Sequence, residues 1–306
     1  MGRRSQTPAE LFDAACRGDR GALARTLSLL ERGDDAAREV GRLAYSRTGG
    51  GYTVGITGAP GAGKSTLTSA VIKHLRAAQT EVAVLAIDPS SPFTGGAILG
   101  DRVRMQDHAT DPGVFIRSMA TRGHLGGLSL STPEAIRLLD AVGREWILVE
   151  TVGVGQVEVE IAGKADTTVV VLNPGWGDSV QANKADRKGV EETRRDIEQM
   201  LELSDLAHDA WHPPIIATVG NTGQGVPELW AAVVRHRAEI STNGQLGERR
   251  DFRLREELRE IVARRLEMKA RQVCTGERWE QIQGDVLARR TDPWSAADEM
   301  LRGVGA

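Results

Sequence analysis

"GITGAPGAGKST", residues 55 to 66, is the stretch on which the reading of this chain turns. Gly58, Gly63, Lys64 and Ser65 stand in the spacing Gly-x4-Gly-Lys-Ser, directly after an apolar run, Tyr52–Thr57, and at the start of a helical stretch, 64–78. Each residue type has a physical task. Gly58, Ala59, Pro60, Gly61, Ala62 and Gly63 form a loop flexible enough to turn its backbone N–H groups inward around phosphate oxygens. The helix that follows adds the partial positive charge of its N-terminus. Lys64 reaches the β- and γ-phosphates, the Ser65 hydroxyl is placed to ligate Mg²⁺, and Thr66 extends the contact. A glycine-rich turn that matched by chance would lack the flanking strand and helix.

Outward from this loop the pattern alternates. Apolar strand candidates fall at Tyr52–Thr57, Glu81–Ile87, Trp146–Glu150, Thr167–Leu172 and Ile215–Val219, with helical stretches at 64–78, 132–142, 190–203 and 226–240. Short, continuous apolar strands between helices predict an α/β fold: a P-loop NTPase with a doubly wound, mostly parallel sheet covered on both faces. Ligands of such sheets sit at the carboxyl ends of the strands. Residues 8–32 read as helix broken by Gly18 and Gly21, and Asp292-Pro293 announces a last helix. The expected organisation is a helical extension over 1–48, a nucleotide-binding domain over 49–240 and a helical tail over 241–306.

Bulk properties narrow the function. The 306 residues, 40% hydrophobic, suffice for a large core, and a net charge of −3 gives no electrostatic reason to expect a nucleic-acid partner. Cys16 and Cys274 stand alone, which supports neither a disulfide framework nor a thiolate metal site and fits a reducing cytoplasm. The first residues lack an apolar signal core, and no apolar run approaches the ~20 residues of a membrane span, so no membrane association is expected. In the tail, Leu254, Leu258, Ile261, Val262 and Leu266 form a helical stripe. That stripe suits packing on its own domain or a homodimer contact; arginines alternating with glutamates speak against nucleic acid.

Further acids fall where a phosphate-loop enzyme needs them. Asp88 ends the second strand, and Asp101 lies in the polar, glycine-rich loop "PSSPFTGGAILGDR" after it, long enough to act as a switch. "WILVETVGVGQ" places Glu150 at a strand end, with Gly153 free to approach a γ-phosphate and Gln156 beyond it. Asp88, Asp101 and Glu150 are therefore candidates, with Ser65, to surround the metal and the attacking water. "NKAD", residues 183–186, has the Asn-Lys-x-Asp form that reads guanine. Yet the residues before it, 177–182, are too polar and too short to be the buried strand that normally carries that motif.

Together, "GAPGAGKST", "AIDPSSPFTGGAILGDRVRM", "TRGHLGGLS", "VETVGVGQVEVEIAG" and "NPGWGDSVQANKA" resemble the MeaB/ArgK family, G-protein chaperones of methylmalonyl-CoA mutase and related acyl-CoA mutases, also described as LAO/AO transport ATPases. The likeness covers nearly the whole chain. It implies a P-loop domain of the signal-recognition/MinD-like class, a homodimer joined through helical extensions and Mg²⁺-dependent GTP hydrolysis. It also implies a complex with a B12-dependent acyl-CoA mutase, in which adenosylcobalamin delivery is gated and the mutase protected. By resemblance, Gly153 begins a second switch, and Asp178, Gln181 and Lys184 belong to an extra one. Asn183, Lys184 and Asp186 would read guanine in GTP or GDP, and Asn221 in "TVGNTG" would support the base from the other side.

The chain departs from the family at one point. Relatives carry "QANKAG", then a helix, then an apolar strand, then a separate "NKAD"; here the two copies are fused into "QANKADRKG", as though the segment between direct repeats had been lost. Lys184 would then serve both switch and base site. Alternatives therefore stand beside the GTPase chaperone: a P-loop ATPase or kinase of the transport type, and a nucleotide-binding scaffold with impaired hydrolysis.

Overall fold

Five parallel strands carry the architecture: β1 (Tyr52–Thr57), β2 (Val82–Asp88), β3 (Val114–Ala120), β4 (Trp146–Thr151) and β5 (Thr167–Val170). The computed structural model describes residues 6–88, 106–108, 110–120, 131–151, 163–173, 190–202 and 211–302. Strand order is β3-β2-β4-β1-β5, every pair parallel, so the doubly wound α/β expectation is borne out. Every residue of β1 and of β4 is buried, as central strands of a sheet covered on both faces must be.

Period-two geometry divides the strands between two cores. Ala83, Leu85 and Ile87 of β2, with Ile147 and Val149 of β4, face one side. There they meet α1 (Pro8–Cys16), α2 (Arg20–Arg32), α3 (Asp35–Tyr45) and α5 (Ser131–Ala141). Val82, Val84 and Ala86, with Trp146 and Leu148, face the other, against α4 (Lys64–Ala77) and α7 (Val226–Thr242). Helix starts follow local chemistry. Thr7 and Glu10 form a capping box on α1, with Pro8 at its first position. Asp19 caps α2, Asp34 caps α3, and Asp292 caps α10 (Pro293–Leu301) at the predicted place. Gly18, at φ +91°, does interrupt the N-terminal helix, whereas Gly21 lies inside α2.

The structure departs from the sequence reading in several elements. β3, α3 and the helix Glu277–Leu287 went unread. In β3 the apolar run is broken by Arg117, which stays in the sheet because Glu31 of α2 pairs with it at 2.6 Å and Ser28 accepts a second bond at 3.0 Å. Ile215–Val219, expected as a strand, pairs with none of the five described strands; Val219 forms an antiparallel bridge to Gln224. An extended segment needs a neighbouring strand to pair with, and among the described residues the sheet ends at β5, whose Val170 is 57% exposed. β5 itself stops at Val170 rather than Leu172.

The chain divides into two compact units, one ending at Leu246 and one beginning at Gly247. α6 (Val190–Glu202) lies in the first. The second holds most of α8 (Gln245–Val273), then α9 (Glu277–Leu287) and α10, with a small core of Ile282, Ala296 and Met300. α8 buries none of its residues; Phe252, Leu258 and Leu266 are all more than 60% exposed. Among the described residues no helix is long and apolar enough to cross a membrane.

Candidate functional site: the phosphate loop

Where β1 ends, the chain turns through Gly58 at φ +141°, pressed so close to β5's continuation that a Cβ would stand 2.1 Å from the Val171 carbonyl oxygen. Only glycine fits there. Gly61 (φ +73°) and Gly63 (φ +94°) complete the loop, and Gly63 opens α4 without a side-chain cap, the arrangement that helix N-termini use for anions. Lys64, 6% exposed, folds back over the loop and donates to the carbonyls of Gly58 at 2.5 Å and Ala59 at 3.0 Å. Ser65 Oγ donates to Glu150 Oε1 at 2.5 Å. Glu150, 3% exposed, lies opposite Ile56 of β1 and Ala86 of β2, so two neighbouring strands hold its carboxylate beneath the loop.

A serine hydroxyl and a buried carboxylate converge there. Both are hard oxygen donors, the chemistry that suits Mg²⁺. Asp88 is the last residue of β2, its backbone opposite Ala120. Asp101, Gly153, Gln156, Asp178, Gln181, Asn183, Lys184 and Asp186 lie outside the described residues.

Asn221 sits in a tight turn closed by Val219 and Gln224 (N to O, 3.0 Å). Gly225, at φ +76°, follows; a Cβ there would stand 2.0 Å from the Ala217 carbonyl. The turn packs on the start of α4, where a Cβ on Gly220 would lie 3.0 Å from Thr66 Cγ2. Between them opens a cleft of about 550 Å³, with Thr66, Ser69 and Lys73 on one wall and Asn221 and Thr222 on the other. It adjoins the phosphate loop through Thr66. Sequence reading placed Thr66 and Asn221 at the site, and the structure brings them together.

It missed the rest of that wall. Ser69 Oγ lies 2.9 Å from Nε2 of His108, which a single 3₁₀ turn (Gln106–His108) lays against α4. Burial, then the Lys73 ammonium, pushes the His108 pKa below its usual value, so the ring is held neutral. Asn173 was missed too. Its Nδ2 donates to the Gly61 carbonyl at 3.1 Å. Helix periodicity would have found Ser69 and Lys73, one and two turns beyond Ser65 and Thr66; no sequence signal pairs residues 69 and 108.

A parallel sheet whose first strand runs into a phosphate loop, with lysine, serine and a strand-end glutamate gathered beneath it, defines a P-loop nucleoside triphosphatase. The family model described as "Methylmalonyl Co-A mutase-associated GTPase MeaB" matches residues 23–275, and the chain belongs to that family; it is a GTPase. A protein of Pyrococcus abyssi named as a GTPase is 47% identical, over 96% of each chain. GTPase ArgK of Escherichia coli is 34% identical over 78% of this chain and 79% of its own. The crystal structure of a LAO/AO transport system kinase superposes with a TM-score of 0.71 over the whole of both chains at 24% identity, which establishes the fold. The Pyrococcus alignment spans 311 positions but uses 96% of 306 residues, about 294, so about 17 positions have no counterpart here.

Proposed function

We propose that this GTPase is Mg²⁺-dependent and serves as the chaperone of a B12-dependent acyl-CoA mutase, gating adenosylcobalamin loading and protecting the mutase. The observation that carries the nucleotide half is the Ser65–Glu150 pair at 2.5 Å beside the folded-back Lys64. In this reading Lys64 exchanges the Gly58 and Ala59 carbonyls for the β- and γ-phosphate oxygens, and Ser65 and Glu150 hold the metal. Mg²⁺, when bound, would neutralise charge on those phosphates. Asp88, Asp101 and Gln156 complete the surroundings of the metal and the attacking water, and Asn183, Lys184, Asp186 and Asn221 read the base. The mutase half rests on the family's description as mutase-associated. A homodimer through α8 is supported by its exposed apolar residues, Phe252, Leu258 and Leu266 among them.

A second reading has its own support. About 17 aligned positions without counterpart, and a sheet that among the described residues ends at β5 with Val170 57% exposed, suit a chain that lost a strand before its base-reading motif. Such a chain would keep partner contacts while hydrolysing GTP poorly. Calorimetric titration with GTP, GDP and ATP separates the readings. Guanine-only binding that disappears in Lys64→Ala supports the GTPase site, and unchanged GTP affinity in that variant refutes it. Co-elution with a methylmalonyl-CoA mutase that responds to GTP against GDP tests the partner; indifference to nucleotide removes the gating role.

A further inference from the structure

We propose that Asn173 is a positioning residue of the phosphate loop, setting affinity for the β- and γ-phosphates; the assignment rests on the GTPase reading of that loop. Two contacts tie the residues after β5 to the loop. Val171 N donates to Thr57 O at 2.7 Å while its carbonyl abuts Gly58, bracing the loop's entry. Asn173, 7% exposed, then reaches the loop's tip, with Nδ2 3.1 Å from Gly61 O.

The tie acts on the loop's most open point: Gly61 has φ +73° and open space where a Cβ would stand. In a trans peptide the carbonyl and the next N–H point opposite ways. Drawing Gly61 C=O towards Asn173 therefore turns the Ala62 N–H to the loop's inner side, where it donates to Ala59 O at 3.1 Å. Ala59 O also receives Lys64 Nζ at 3.0 Å. The N–H that would meet a phosphate oxygen thus shares its present acceptor with the phosphate-binding lysine, and Asn173 holds it in that orientation. Asn173 Oδ1 is buried with no donor among the described residues, so nothing there favours the amide's flipped orientation over the one that serves Gly61.

The test compares wild-type protein, Asn173→Ala and Asn173→Asp for GMP, GDP and GTP affinity, with a thermal melt of each. One hydrogen bond to a charged group is at stake, so Asn173→Ala should weaken GDP and GTP about tenfold. Asn173→Asp sets a carboxylate against a carbonyl and the phosphates, and should weaken them about a hundredfold. GMP, which lacks the β-phosphate, should change less than about twofold, a split that general damage to the fold would not produce. Equal losses for GMP and GDP, or unchanged GDP affinity in both variants, overturn the assignment. Wild-type protein that binds no guanine nucleotide overturns the GTPase reading and this assignment with it.

Discussion

Replacing Gly58 with alanine tests how tightly the phosphate loop is braced by the sheet. The added Cβ would stand 2.1 Å from Val171 O, whereas ordinary contact begins near 3.4 Å, so loop and strand must part by about 1.3 Å. Alanine at φ +141° adds backbone strain of about 1–3 kcal/mol. The movement also stretches the 2.7 Å bond from Val171 N to Thr57 O, at a cost of about 1 kcal/mol. The combined loss, about 2–4 kcal/mol, should lower the melting midpoint of a domain this size by about 5–15 °C. A loop displaced by that distance also loses amide-to-phosphate geometry, so GTP affinity should fall at least about tenfold. Differential scanning fluorimetry and calorimetric titration read the two effects. A variant that melts within about 1 °C of wild type and binds GTP normally would show that loop and strand are not in contact as described.

Two further expectations concern stability. Thr167 Oγ1 bonds both Tyr52 Oη and His236 Nδ1 at 2.7 Å, joining β5, β1 and α7 in a buried chain. Thr167→Val keeps the shape and removes both bonds, and should cost about 1–3 kcal/mol in denaturant unfolding; a loss below about 0.5 kcal/mol would mean that this chain does not hold the edge strand. His108 is kept neutral by burial and then by Lys73, so its folded pKa lies below the ordinary 6.5. The unfolded state then binds more protons in that window, and the stability this group contributes is present above about pH 6.5 and lost as pH falls through the folded value. His108→Gln should flatten that part of the stability profile; an unchanged slope would place the titration elsewhere.

Much of the molecule was legible in the chain itself, for local reasons. The order strand, Gly-x4-Gly-Lys-Ser, helix encodes its own geometry, because glycine conformations, helix start and strand are contiguous. Tyr52–Thr57 and Trp146–Glu150 announced themselves as strands by their apolar runs, and Asp292-Pro293 announced a helix start. β3 did not, because the partners of its arginine, Glu31 and Ser28, lie 86 and 89 residues away in sequence.

What the sequence determined, then, is the chemistry of the phosphate loop and the class of sheet that carries it: both follow from residues adjacent in the chain. The tertiary structure decided which distant residues complete the site. Glu150 reaches Ser65 because β4 lies beside β1, Asn173 reaches Gly61 because β5 lies on β1's other side, and among the described residues Ile215–Val219 meets no strand of the sheet. Periodicity reports a segment's capacity to be a strand; pairing is a property of two segments, and only the fold supplies the second.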